Sequence, residues 1–211
     1  MEDELASLID EHFLDALASA EPVPGGGSAA AVAGAIAAGL ASMVARLTLS
    51  PRYEQVRGAI ETTLAASEDL RRRLASLARQ DMSAYMSFSR AQRLPRASEE
   101  ERRLRTTRMQ EALRDCTLVP LQIAAACREV LQLCPMLVEK GNPAAITDVG
   151  VAALLAEAAL RGAGLQVEVN LAWLKDEAFI AEQRQRLAAI LAGTAELKEQ
   201  IAAQVQTALE R

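Results

Sequence analysis

The chain has 211 residues, a formal net charge of −5, 51% hydrophobic residues and only 3% aromatic ones. That length suits one domain with a sizeable core, so residues 1–211 are read as a single helical domain. The acidic balance argues against non-specific nucleic-acid binding, which rests on Lys and Arg neutralising phosphates.

The first predicted helix runs from about Glu4 to Ser19, with Leu5, Leu8, Ile9, Phe13, Leu14 and Leu17 on one side. It ends at Glu21-Pro22-Val23-Pro24-Gly25-Gly26-Gly27-Ser28, where two prolines and three glycines cannot continue a helix. Ser28 is a suitable N-cap for a second helix that reaches about Leu49 and stops before Pro51. Ala29 to Val44 carries no charge, but Arg46 closes the run early and most of it is Ala and Gly. We read it as a helix buried in protein rather than a membrane span.

A third helix is expected from near Arg52 to about Arg90. A fourth follows Leu94-Pro95, with Ser98 as N-cap and Glu101 three residues on, the pattern of a capping box. It runs towards Cys134 with a kink expected at Pro120, and a linker is expected from Pro135 to Asn142-Pro143. A fifth helix begins near Thr147 or Asp148, with a possible break at Gly162 to Gly164, and the remainder to Arg211 reads as helix. Ala29–Ala45 and Val151–Ala163 are rich in small residues and apolar over more than half their circumference. The expectation is an all-α, up-and-down bundle of long helices with these two buried at its centre. Alternation of β-branched and aromatic residues is missing throughout, so no sheet is expected.

Several features bear on chemistry. Gly25, Gly26, Gly27 and Ser28 open a buried helix whose free N–H groups and dipole suit an anion or a carbonyl, although a plain turn between packed helices explains them too. No Gly-Lys-Ser/Thr follows, which excludes a triphosphate loop. Asp81 interrupts an apolar stripe of Leu70, Leu74, Leu77, Ala84, Tyr85 and Phe88. Burial there raises a carboxyl pKa and suits it to proton transfer, while a structural bond to a neighbouring helix is the other reading. Asp148 at a helix start complements the dipole, Asn142 sits at a turn, and Asn170 in a helix interior calls for a hydrogen-bond partner. The arginines between Arg90 and Arg108 are diluted by Glu99, Glu100 and Glu101 and read as a solvated face. Cys116, Cys127 and Cys134 form no CxxC pair and read as core. With one histidine, His12, they make a structural zinc site improbable. An odd cysteine count without a signal-peptide pattern points to the cytoplasm.

These residues together resemble the formiminotransferase-cyclodeaminase C-terminal domain family, over about Leu8 to Phe179. The markers are Phe13-Leu14-Asp15-Ala16-Leu17-Ala18, Pro22 to Ser28, Met43 to Thr48, Tyr53-Glu54, Asp81, Leu94-Pro95 and Gln110 to Leu113. Val119-Pro120-Leu121, Gly141-Asn142, Asp148 to Ala153 and Val169-Asn170-Leu171 complete the set, in order and spacing. The resemblance implies a homodimer or larger assembly and a folate substrate; the acidic charge and the early close of the apolar run at Arg46 speak against nucleic acid and a membrane as partners. It implies conversion of 5-formiminotetrahydrofolate to 5,10-methenyltetrahydrofolate and ammonia. The alternatives are a methenyltetrahydrofolate cyclohydrolase, or a non-catalytic folate-binding or assembly protein of the same fold. Asp81 and Asp148 would be catalytic. Gly25, Gly26, Gly27, Ser28, Arg52, Asn142 and Asn170 would contact the substrate. No metal is expected, and no cofactor beyond the substrate's own tetrahydrofolate. Three positions depart from the family's habit: Leu49-Ser50-Pro51-Arg52 leaves Arg52 as the one basic residue there, Gln166 replaces a common Asn, and Pro143-Ala144-Ala145 lacks a frequent polar residue.

Overall fold

The computed structural model describes residues 11–210. Within them the chain is helical, with no strand. The helices are α1 (Glu11–Ala18), α2 (Gly26–Thr48), α3 (Arg57–Gln92), α4 (Glu99–Lys140), α5 (Ile146–Leu171), α6 (Glu177–Leu191) and α7 (Thr194–Leu209). Short 3-10 segments, Pro51–Val56 and Pro143–Ala145, lead into α3 and α5. The start of the helix expected from Glu4 lies outside the described residues.

Helices α2 to α5 form an up-and-down four-helix bundle. Bonds from Ser28 to Asp81 and between Ser42 and Ser67 fix α3 antiparallel to α2, and one from Asn170 to Cys116 fixes α5 antiparallel to α4. Each of the four packs on its two neighbours, α2 also touches α4 across the diagonal, and α6 and α7 lie against α4 and α5. Small side chains make the diagonal contact possible. Ala31, Ala37, Ala38, Ala41 and Ala45 of α2 are wholly buried, and a Cβ added at Gly34 would stand 2.5 Å from the Cys127 Sγ. Helix α5 buries Ala152, Ala153, Ala156, Ala159 and Ala163 in the same way.

Four expectations need correction. Gly25, not Ser28, is the N-cap of α2, because the Ser28 hydroxyl is bound to Asp81 and does not cap its own helix. The stretch from Arg52 begins as a 3-10 turn with Tyr53 outside helical angles, so α3 starts at Arg57. The linker from Pro135 does not form, and α4 runs through Pro120 and Pro135 to Lys140. An interior proline costs about 3 kcal/mol, but Val130, Leu131, Cys134 and Leu137 are all buried around it, and full burial of each large side chain returns roughly 2 kcal/mol. Helix α5 is unbroken at Gly162 to Gly164, whereas the C-terminal stretch is divided at 172–176 and at Gly193, whose φ of 73° places it in the left-handed region.

The capping box at α4 forms. The Ser98 Oγ accepts from the Glu101 N–H at 3.1 Å, and the Glu101 Oε2 accepts from the Ser98 N–H at 2.9 Å. Replacing Ser98 by Ala is expected to cost about 1 kcal/mol of stability. Urea denaturation with an unchanged midpoint would show that the cap contributes nothing.

Helices α2, α4 and α5 are each long and apolar enough to cross a membrane by length and composition, two more than the sequence reading weighed. In the fold they pack against one another, yet α2 and α5 leave an apolar surface outside. Ile36, Met43 and Leu47 of α2, and Val151, Leu154, Leu165 and Val169 of α5, are exposed, Leu165 at 71%.

Candidate functional site

Asp81 sits two-thirds of the way along α3, in the register that buries Leu70, Leu74, Leu77, Ala84 and Phe88. That register aims its carboxyl at the first turn of α2. The Ser28 hydroxyl donates to the Asp81 Oδ2 at 2.8 Å, and the Ser28 backbone N–H bonds the same carboxylate. Gly25 has no side chain with which to cap α2, so a carboxylate 53 residues away does so. The structural reading of Asp81 therefore holds, and the carboxyl also faces a pocket. Burial raises its pKa above the usual 3.8, and the bonds from Ser28 work in the opposite direction.

The pocket encloses about 350 Å³. Its wall includes Gly25, Gly26 and Gly27 of the turn, Asp81, Tyr85 and Phe88 of α3, Cys116 of α4, Gln166 and Asn170 of α5, and Trp173. Tyr85 and Phe88 meet edge to face, with ring centroids 6.3 Å apart. Apolar walls with a few convergent polar groups are the usual make-up of a small-molecule site. The two inner glycines have steric reasons. A Cβ at Gly27 would lie 2.2 Å from the Asp81 Oδ1, and one at Gly26 would lie 2.7 Å from the Gln166 Nε2. At Gly25 the nearest atom would be the Pro22 carbonyl oxygen at 4.0 Å, so a side chain fits there.

Asn170 finds the partners its helical position called for. Its Nδ2 donates to the Cys116 carbonyl at 2.6 Å and to the Gln166 carbonyl at 2.8 Å, tying α5 to α4. The Gln166 side-chain amide, one turn earlier and in the same pocket wall, makes no hydrogen bond within the described residues. Its spacing of four from Asn170 puts both on one helix face and was the signal available in the sequence. Tyr85, Cys116 and Trp173 also reach the pocket; Tyr85 shares the stripe of Asp81 at a spacing of four, and nothing in the local sequence of Cys116 and Trp173 marked them.

The other expected site residues lie elsewhere. Arg52, Asn142 and Asp148 are at the far end of α2, roughly 34 Å away at 1.5 Å per residue over its 23 residues. There the Asn142 N–H donates to the Thr48 Oγ1 at 2.9 Å, the Tyr53 hydroxyl donates to the Asn142 Oδ1 at 3.3 Å, and Arg52 stacks over Tyr53. Asp148 lies in the first turn of α5, so within one chain it stands apart from Asp81. Within one chain, Arg52 and Asn142 likewise do not share a pocket with the glycine turn. The Asp81 pocket has no Lys or Arg in its wall.

The arginines of 90–108 are engaged locally. Arg103 pairs with Glu99, Arg108 with Glu111, and Arg105 bonds the Gln92 carbonyl, as a solvated face would. His12 is exposed on α1. All three cysteines are free and buried, and burial pushes each thiol up to about 12. For Cys116 the Asp81 charge adds to the effect. Native protein at pH 8 is therefore expected to resist iodoacetamide and urea-unfolded protein to take up three labels, counted by mass spectrometry. Rapid native labelling would contradict that burial. Among the described residues no group of three His, Cys, Asp or Glu is placed to hold a metal ion.

Residues 10–189 match the family model described as formiminotransferase-cyclodeaminase. The chain is 44% identical, over 90% of its length and 92% of the relative's, to a methenyltetrahydrofolate cyclohydrolase of Methylorubrum extorquens. It is 32% identical over 180 residues to the formimidoyltransferase-cyclodeaminase of Rattus norvegicus, of which it spans 33% of the length. The crystal structure of a formiminotetrahydrofolate cyclodeaminase from Thermotoga maritima superposes with a TM-score of 0.77 at 30% identity, covering 98% of each chain.

Proposed function

The chain belongs to the formiminotransferase-cyclodeaminase family, and on that premise we propose that it hydrolyses 5,10-methenyltetrahydrofolate to 10-formyltetrahydrofolate. The observation that carries the reading is a single desolvated carboxyl, Asp81, at the head of the glycine-turn pocket. The methenyl carbon is already electrophilic, so one base and one water suffice. The water oxygen bonds to that carbon while its proton passes to Asp81. The tetrahedral adduct then collapses. Its C–N5 bond breaks with the electron pair going to N5, N5 takes the proton from Asp81, and the adduct hydroxyl loses its proton to solvent as the formyl C=O forms. One proton leaves per turnover, which balances the positive charge of the substrate. The near full-length similarity to the Methylorubrum cyclohydrolase supports this reading.

Cyclodeamination of 5-formiminotetrahydrofolate is the second reading, favoured by the Thermotoga neighbour. Asp81 would then take the proton of N10 and hand it to the departing ammonia. Incubation with each folate separates the two: loss of near-ultraviolet methenyl absorbance above the spontaneous rate marks the hydrolase, and its appearance together with ammonia marks the deaminase.

The site reads as one completed by a second copy of the chain. The glutamate carboxylates of a folate call for a cation, and the Asp81 pocket offers none. An antiparallel copy seated on the exposed apolar face of α2 and α5 would bring its own Arg52 and Asn142 towards that pocket while covering Ile36, Met43 and Leu165. Arg52→Ala is then expected to raise KM about tenfold with kcat nearly unchanged, despite its distance from Asp81. Turnover by a monomeric species in analytical ultracentrifugation, with the Arg52→Ala variant unaffected, would contradict this arrangement.

A further inference from the structure

We propose that Gln166 holds the attacking water against Asp81. The inference rests on the hydrolytic reading above. Three observations carry it. The Gln166 carboxamide lines the pocket without a hydrogen-bond partner among the described residues, whereas the amide of Asn170 is tied up in α5–α4 bonds. It lies across Gly26, where a Cβ would stand 2.7 Å from its Nε2, while the Asp81 carboxyl lies across the next residue, 2.2 Å from a Cβ position at Gly27. The two side chains thus flank successive residues of the same helical turn and open on the same cavity.

Their chemistry is complementary. An ionised carboxylate only accepts hydrogen bonds, and a carboxamide has both an acceptor oxygen and a donor NH₂. A water between them donates one hydrogen to Asp81 and the other to the Gln166 oxygen. Both its hydrogens are then fixed, and a lone pair points into the cavity, where the methenyl carbon must sit. Proton removal is thereby aligned with bond formation, and a water misplaced by about 1 Å costs of the order of a hundredfold in rate. Gly26 and Gly27 acquire a common purpose: they clear the space in which these two side chains meet the water.

The test is the kinetics of Gln166→Leu, similar in size but without hydrogen bonds, on 5,10-methenyltetrahydrofolate. Binding is read separately through the fluorescence of Trp173, the one tryptophan of the chain and a wall of the pocket, titrated with 5-formyltetrahydrofolate. The expected result is a kcat lowered by about 100-fold with the dissociation constant changed by less than about threefold. The kcat-against-binding split is what a packing role would not produce, and Gln166→Glu checks the juxtaposition with Asp81 itself. A second carboxylate beside Asp81 raises its pKa, so the acidic limb of the pH–rate profile should shift upward by about one unit. A Gln166→Leu enzyme with kcat within about threefold of wild type, or a loss confined to binding, would overturn the proposal, as would a Gln166→Glu profile with an unmoved limb. Wild-type protein inert towards the methenyl folate would instead remove the hydrolytic reading and this inference with it.

Discussion

Asp81→Asn is expected to lower kcat by two orders of magnitude or more while leaving the helical circular-dichroism signal unchanged. Asparagine keeps an oxygen that can accept from the Ser28 hydroxyl and N–H, so α2 stays capped. What it loses is the ability to take a proton. The pH dependence follows from the direction of the pKa shift. Burial raises the Asp81 carboxyl above 3.8, and it must be ionised to act as a base, so activity should fall as pH drops through that raised value. Stability runs the other way. An acid whose folded-state pKa is raised contributes stability that is fully present below its unfolded value and is lost as pH rises through the folded one. At neutral pH the ionised carboxyl is therefore a cost to the fold, and Asp81→Asn should have a melting temperature at least as high as wild type. Asp81→Ala, which removes the cap, should be less stable by about 1 kcal/mol. An Asp81→Asn protein with full turnover would end the role assigned to this carboxyl.

Gly27→Ala should be nearly as damaging, for a steric reason. Its methyl would stand 2.2 Å from the Asp81 Oδ1 and 2.6 Å from the Asp81 Cγ, closer than nonbonded atoms come. Asp81 is anchored in the interior of α3, so the carboxyl must swing off the first turn of α2, losing both the Ser28 bonds and its aim into the pocket. A kcat loss of about 100-fold is expected, with a lower melting temperature because the cap is lost as well. The three glycines should grade in order. At Gly26 the obstacle is the tip of the Gln166 side chain, which can rotate away, so the fold survives although hydrolysis weakens. At Gly25 there is room, and φ is −132°, a backbone conformation open to any residue. Steady-state kinetics of the three alanine variants, with melting temperatures measured alongside, checks this order. Equal effects at Gly25 and Gly27 would mean that the turn needs backbone freedom and not clearance.

Much of this was visible in the residues. The helical pattern, the capping box at Ser98 and the two alanine-rich central helices follow from local rules, because periodicity and caps are local properties. Asp81 stood out for the same reason, as a carboxylate inside an apolar stripe. The failures share a different cause. Ser28 looked like an N-cap because serine commonly is one, and its actual partner is 53 residues away. Pro135 looked like a stop because its own helix bond is lost, and the burial of its neighbours outweighs that loss. That Asn142, Asp148 and Arg52 stand at the opposite end of the same chain's bundle from Asp81 was not legible either, because chain order carries no record of which end of a bundle a residue occupies. Gln166 was noted as a substitution, and only the packing of α5 against the glycine turn shows where its amide goes.

The most direct test is the turnover of 5,10-methenyltetrahydrofolate by wild-type protein and the Asp81→Asn variant in parallel, followed by loss of methenyl absorbance. The account predicts hydrolysis well above the spontaneous rate for the wild type and a loss of at least about 100-fold in the variant. Wild-type protein that leaves the spontaneous rate unchanged, or a variant as fast as wild type, would contradict it.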